Sequence, residues 1–232
     1  MQSTNLPKVL IINQPFNKNT GGGITLSNLF SGWEKEKIAV ISYHYLLENV
    51  DTNICDKYYQ LGNKEHIFGF PFNFLKRNHP SGLLSIKEDG GTNGEKQKPG
   101  FRSKIITQVF NPLFKYFGFY NSISRIELSD ELRTWLDNFS PDIIYSQSTF
   151  RESLVFILQV HSYLKKPLIF HMMDDWILSD KGPLKNIERK RNERVFKAIM
   201  DRADILISVS EGMAEAYKIR YNKSFVTFHN PV

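Results

Sequence analysis

Four consecutive apolar residues, Val9, Leu10, Ile11 and Ile12, stand between Lys8 and Asn13 near the start of the chain. Successive side chains of a strand point to opposite faces, so an unbroken apolar run needs cover on both sides. A parallel sheet between helical layers supplies that cover, and its strands must be joined by crossovers. Such a crossover follows. Ile24–Trp33 carries Leu26, Leu29, Phe30 and Trp33 at helical spacing, and Ile38–Tyr43 reads as a second strand.

The pattern recurs in the second half of the chain. Asp142–Ser146, Pro167–His171, Asp204–Val209 and Phe225–Phe228 read as strands. Between them lie helical stretches from Thr149 to about Leu164, over Asn186–Ala203, and from Glu211 to about Tyr221. Thr149–Glu152 and Ser208–Glu211 have the spacing of capping boxes. The middle is less regular. Asp56–Leu61 suggests a short strand, His66–Leu75 shows no clear period, and residues 77–100 are rich in Gly and Pro and read as an insertion. Ser103–Phe119 and Asn121–Phe139 have helical periodicity; in the second, Leu128, Leu132, Trp135, Leu136 and Phe139 share one face. The order implies one α/β domain over residues 1–232: a doubly wound, mainly parallel sheet with helices on both faces, Rossmann-like.

Composition narrows the function. The net charge is +6, but the cations are dispersed, and no zinc-finger or RNP-like spacing accompanies them, so nucleic acid is not an expected partner. The tightest basic clusters, Lys185–Arg194 and Arg102–Lys104, suit contact with an anionic surface. Cys55 is the only cysteine, which excludes an intrachain disulfide. No signal-peptide pattern opens the sequence and no apolar run is long enough to span a bilayer, so a cytoplasmic location is expected.

In an open α/β sheet, ligands sit beyond the carboxyl ends of the strands. Four loops qualify, those after Asn13, Ser146, His171 and Val209. The first contains Gly21, Gly22 and Gly23, whose missing Cβ atoms allow close approach to a phosphate or a sugar at a helix start. Eight residues separate Ile12 from Gly21 and no G-K-[ST] follows, so neither the dinucleotide fingerprint nor a P-loop is present. The second loop offers Gln147 and Ser148. The third, Phe170–Trp176, places His171, Asp174, Asp175 and Trp176 in one short turn. His171 could donate to a sugar hydroxyl or accept a proton, Asp174 or Asp175 could orient its ring, and Trp176 could stack on a sugar. The fourth holds Ser210 and Glu211, where Glu211 either caps its helix or meets a ligand hydroxyl. No metal-ligand spacing and no nucleophile elbow occurs, and no metal is expected.

These loops and their order resemble the N-terminal domain of GT-B glycosyltransferases of retaining family 4. The resemblance rests on Lys8–Asn13, Gly21–Gly23, Pro141–Tyr145, Arg202–Met213 and Phe228–Val232. It implies that His171, Asp174 and Asp175 serve catalysis. It also implies that Gly21, Gly22, Gly23, Gln147, Ser148, Trp176, Ser210 and Glu211 line the substrate site, with the glycines near a donor diphosphate. The family's acidic turn has histidine directly before the first acid; here Met173 stands there and His171 lies two positions earlier, on the same strand face. The resemblance further implies a nucleotide-sugar co-substrate bound mainly by a C-terminal domain absent from these residues. The acceptor would be a saccharide or a lipid-linked sugar, with peripheral contact at the inner face of an anionic membrane. Two other readings use the same residues. A non-catalytic module would bind a glycan or partner at the sheet edge. A nucleotide-dependent oxidoreductase would need the tight glycine fingerprint and an acid ending the second strand, where Ser42-Tyr43-His44 stands instead.

Overall fold

A computed structural model describes residues 6–70, 79–84, 124–175 and 185–228, together with the isolated positions 108 and 112. The main sheet is built from β1 (Val9–Ile12), β2 (Ile38–Tyr43), β3 (Tyr58–Leu61), β5 (Gly82–Leu83), β7 (Ile143–Ser146), β8 (Leu168–Met172), β9 (Ile205–Ser208) and β10 (Val226–Thr227). Its order is β10-β9-β8-β7-β1-β2-β3-β5, parallel throughout except where β5 runs against β3 at one edge. A second, two-stranded sheet pairs β4 (His66–Phe68) with β6 (Ser124–Ile126) in antiparallel register.

β1 is central for the reason its sequence gives. Val9 and Ile11 enter one core with Phe16, Leu26, Phe30 and Tyr145, while Leu10 and Ile12 enter another with Ile41, Ile144, Leu154 and Phe170. All four β1 side chains are buried. Each contributes about 1.5–3 kcal/mol of transfer free energy, which makes this strand the seam of both layers. The first core lies under α1 (Gly21–Leu29). The second lies under α2 (Asp130–Phe139), α3 (Arg151–Leu164), α4 (Lys185–Arg202) and α5 (Glu211–Tyr221). The doubly wound class expected from the sequence is the one observed.

Local differences have physical causes. α1 begins at Gly21 instead of Ile24, so the glycines form its first turn instead of a loop before it. Thr20 makes this feasible: its Oγ1 accepts from the Gly23 N–H at 3.1 Å, satisfying an otherwise orphaned donor. The helix expected from Asn121 is instead β6, a short link and then α2. Ser129 starts α2 by accepting from Leu132 N (3.1 Å) while donating to Glu65 (2.5 Å). Glu65 is fully buried, and Tyr59 OH and the Gly62 N–H also donate to it, so one carboxylate ties β3, β4 and α2 together. The Thr149–Glu152 capping box does not form. α3 begins one residue later, at Arg151, because Phe150 is anchored 5.4 Å from the Tyr43 ring. Glu152 instead accepts from Ser124 Oγ of β6 at 2.7 Å. The Ser208–Glu211 box is likewise replaced by Ser210, whose Oγ accepts from Met213 N at 3.2 Å. Apart from positions 108 and 112, the helix expected over 103–119 lies outside the described residues, as do residues 77–78 and 85–100 of the expected insertion.

Candidate functional site

β1 crosses over to β2 on one side and pairs with β7 on the other, so the strand order reverses between β1 and β7. The loops leaving these two strands diverge there and open a crevice. Asn13, directly after β1, has φ = 84°, a left-handed conformation that asparagine tolerates better than most residues. That turn fixes the crevice floor. Asn13 Nδ2 donates to the Gln147 carbonyl (2.9 Å), Ser42 Oγ donates to the Asn13 carbonyl (2.5 Å), and Ser146 Oγ donates to the Ile12 carbonyl (3.0 Å).

A buried chain of side-chain hydrogen bonds runs inward from this floor. Gln147 Nε2 donates to Tyr145 OH at 2.8 Å, and that hydroxyl lies 2.6 Å from His171 Nδ1. The Gln147 amide N–H group is also directed at Nδ1, at 3.5 Å, so Nδ1 is the acceptor of this network, the Tyr145 hydroxyl donates to it, and the neutral imidazole carries its own proton on Nε2. Burial pushes the His171 pKa down from 6.5 to about 4, so the ring is neutral at physiological pH. It is fully buried, edge-on to Phe228 with ring centroids 6.1 Å apart.

Several polar atoms here lack a hydrogen-bond partner among the described residues: Asn13 Oδ1, Gln147 Oε1, Ser148 Oγ and His171 Nε2. Their residues are 7%, 4%, 2% and 0% exposed. An unpaired buried polar group costs about 1–3 kcal/mol, and Asn13, Gln147 and Ser148 stand directly after the two strands that flank the switch point.

The glycines play three different parts. A Cβ on Gly21 would meet nothing within 4 Å. One on Gly22 would lie 2.8 Å from Gln14 Oε1 and 3.2 Å from Gln147 Oε1, so this glycine keeps the crevice open. One on Gly23 would strike Asn17 Oδ1 at 2.5 Å and the Asn17 carbonyl at 2.7 Å. The Gly23 N–H is already used by Thr20, so it is not free for an anion.

The acidic turn is arranged differently from expectation. Neither acid holds the His171 ring; Tyr145 and Gln147 do. Asp175 turns to α5, where it pairs with Arg220 at 3.0 Å and accepts from Tyr217 OH at 3.0 Å. Asp174 is exposed beside it, and Trp176 lies outside the described residues. Ser210 caps α5, and Glu211 is its exposed first residue, favourably placed against the helix dipole. The structure therefore brings together Gly22, Gln147, Ser148 and His171, and it sets Asp175 and Ser210 to structural tasks. It adds Asn13, Gln14 and Tyr145, which the sequence reading passed over. Asn-Gln at the end of a buried strand was the available signal for the first two.

The second half of this arrangement decides the family. A model of Glycosyltransferase Family 4 matches residues 74–232, roughly two thirds of the chain. The chain belongs to this family. The matched span contains Gln147, Ser148, His171, Asp174, Asp175, Ser210 and Glu211. Asn13, Gln14 and the three glycines precede it, so the fold joins them to the family-matched half at the crevice. No curated protein matches the chain. In this family 4 chain, no helix among the described residues is long and apolar enough to cross a membrane. A shallow depression of about 550 Å³ lined by His161, Lys165, Lys166, Arg202 and Asp204 lies at the opposite, N-terminal end of β8 and β9. Its Asp204 carboxylate is committed to the Leu168 N–H at 2.8 Å, a structural contact.

Proposed function

We propose that these residues form the acceptor side of a glycosyltransferase that moves a sugar from a nucleotide-sugar donor to a saccharide or lipid-linked acceptor. The nucleotide of the donor is assigned to a second, C-terminal domain, and the 232 residues alone are inactive. The observation that carries this reading is the switch-point crevice of a family 4 chain, beside which Asn13 Oδ1, Gln147 Oε1 and Ser148 Oγ are buried without partners among the described residues.

The chemistry follows from these groups. Transfer requires an acceptor hydroxyl held against the donor's anomeric carbon, and fixed hydrogen bonds supply that orientation. Asn13, Gln147 and Ser148 orient hydroxyls in the crevice. His171, neutral and with its proton on Nε2, serves as a hydrogen-bond donor and not as a proton shuttle near pH 7, since burial holds its pKa at about 4. Asp174 and Glu211, exposed at the rim, complete the acceptor edge. Stabilising the leaving diphosphate belongs to the other domain, and the reading invokes no metal or cofactor. Peripheral contact with an anionic membrane at the cytoplasmic face is assigned to α4, which exposes Arg189, Lys190, Arg194 and Lys197 beside the half-exposed Ile187.

The test is an assay of the protein encoded by the full reading frame with a panel of uridine and guanosine diphosphate sugars, beside the 232 residues alone. Sugar transfer by the longer protein only is the expected result. Turnover by the 232 residues alone removes the division of labour. Glycan binding without transfer in the longer protein favours a non-catalytic binding module.

A further inference from the structure

We propose that the depression at the N-terminal ends of β8 and β9, at the end of the sheet opposite the crevice, binds a phosphate group. His161, Ser162, Lys165, Lys166, Arg202 and Asp204 line it, around a volume of about 550 Å³. None of these residues serves the transferase reading, so the site and that reading stand or fall separately.

The topology gathers these cations. α3 ends at Leu164 and α4 at Arg202, each shortly before a strand, so two helix C-termini and the starts of β8 and β9 meet here. The chain satisfies its own backbone at this end. The Lys165 N–H donates to the His161 carbonyl and the Ala203 N–H to the Ile199 carbonyl, both at 2.8 Å. Asp204 is tied to the start of β8: its N–H donates to the Leu168 carbonyl and its carboxylate accepts from the Leu168 N–H, again at 2.8 Å. Arg202 Nη1 donates to the Ala198 carbonyl at 3.2 Å. Among the described residues no ion pair engages Lys165, Lys166 or Arg202, and the acid beside Arg202, Asp201, is taken by Lys223 at 2.8 Å.

Cations at helix C-termini ordinarily answer the helix dipole, but here the dipoles are too small to account for all of them. Lys165, Lys166 and Arg202 bring three positive charges. Asp204 offsets one, and the two helix ends together offset about one more. About one positive charge is left over, and it faces a concavity. Ammonium and guanidinium groups only donate hydrogen bonds. A group that meets several of them at once carries negative charge and several acceptor oxygens, as a phosphate does. His161 adds at least one ring N–H in any protonation state, and Ser162 adds a hydroxyl. The exposed cations of α4 stand along a helix and suit an extended surface, whereas those of the depression surround one hollow and suit a discrete group. Lys165 and Arg202 are exposed and Lys166 is half-buried, so a bound phosphate keeps part of its hydration and its affinity is modest.

Two-dimensional amide NMR on the 232-residue chain tests this, with inorganic phosphate and glycerol 3-phosphate as probes. Both should shift the amide signals of Lys165, Lys166 and Arg202 in a saturable way. The triple variant Lys165→Asn, Lys166→Gln, Arg202→Gln should weaken both probes by about tenfold or more. Asparagine tolerates the left-handed backbone of position 165 (φ = 53°), and all three side chains are at the surface, so the fold should persist. A control variant, Arg189→Gln, Lys190→Gln, Arg194→Gln, removes the same charge from α4 without touching the depression, and should bind both probes as the parent does. Absence of a saturable shift, a shift that survives the triple variant, or an equal loss in the control each overturns the proposal; the last would show that diffuse charge is responsible. Sedimentation with vesicles of phosphatidic acid and phosphatidylcholine in equal parts then separates the sources of the phosphate. Vesicle binding lost in the triple variant supports a lipid headgroup in the depression. Vesicle binding unchanged in that variant, with the phosphate shifts lost, supports a free phosphate ester.

Discussion

Three adjacent glycines should respond to alanine in three different ways. Gly23→Ala drives a methyl group to 2.5 Å from Asn17 Oδ1 and 2.7 Å from the Asn17 carbonyl. Asn17 cannot swing aside cheaply, because its Oδ1 accepts from Asn19 N (3.1 Å), Thr20 N (2.9 Å) and Thr20 Oγ1 (2.9 Å). Overpacking of this kind costs about 1–3 kcal/mol, and disturbing the Thr20 cap about 1 more. The gain in helix propensity from glycine to alanine returns about 1 kcal/mol. The net is a loss of about 2 kcal/mol, or roughly 4–8 °C in unfolding temperature for a chain of this size. Gly21→Ala meets nothing and keeps the propensity gain, so it should raise the unfolding temperature by about 1–4 °C. Gly22→Ala presses on the end of the half-buried Gln14 side chain, which can move aside, and lies 3.2 Å from that of the buried Gln147, so the small strain and the propensity gain nearly cancel and stability should stay within about 0.5 kcal/mol while the crevice fills. Thermal unfolding followed by circular dichroism, with the three variants side by side, reads all three signs. Equal stability of Gly21→Ala and Gly23→Ala would refute the argument, because it rests entirely on the different space around the two positions.

Other substitutions probe the buried polar network. His171 has a folded pKa of about 4 against 6.5 when exposed, so the unfolded chain binds the extra proton. Its contribution is fully present above about pH 6.5 and is lost as pH falls toward 4, a difference of about 3 kcal/mol. Urea midpoints between pH 7 and 4 should therefore fall more for the parent than for His171→Gln; parallel curves would show that the ring is not buried neutral. Tyr145→Phe keeps the ring against Phe30 (5.2 Å) but strips the hydroxyl from both Gln147 and His171. It should cost about 1–2 kcal/mol in a urea titration, and an unchanged midpoint would mean that water replaces the hydroxyl. Glu65→Ala leaves the Tyr59, Gly62 and Ser129 donors without their carboxylate, and should lower the unfolding temperature by roughly 6–12 °C, from a loss of about 3 kcal/mol. A drop of less than 2 °C, on the order of 0.5 kcal/mol, would show that these donors find other partners.

The strands of the main sheet were legible because burial on both faces writes itself as consecutive apolar residues. Ile38–Tyr43 is a strand over those same residues, Ile143–Ser146 starts one residue later than expected, and Leu168–Met172 is shifted by one residue at both ends. The small β4–β6 sheet was not legible. It has three residues per strand, and His66 pairs with Ile126 sixty positions away. No local period encodes such a pairing, and Leu128 continues the spacing of α2 into residues that are not helical. The position of the candidate site in the fold was legible, but the contacts among its residues were not. The switch-point rule located the loops, and Gly22, Gln147, Ser148 and His171 meet there. What holds His171 was hidden, because Tyr145 reads as one more apolar position of a strand until its hydroxyl is seen 2.6 Å from the imidazole. Asp175 looked like a partner for that ring, but the reach of Arg220 from α5 decides otherwise.

β1 pairs with β2 after a short crossover but with β7 only across 134 residues, the separation between Ile12 and Ser146. At a translation rate of about 5–20 residues per second, β7 emerges roughly 7–27 s after β1. During that interval Val9–Ile12, apolar at every position, has one side unpaired and available to another chain. The crevice inherits the delay, since Asn13 cannot reach the Gln147 carbonyl until the same moment. Production of the protein is thus most vulnerable while the ribosome is still in the middle of the message, and slowing elongation between codons 43 and 146 should raise the aggregated fraction without changing the stability of molecules that finish.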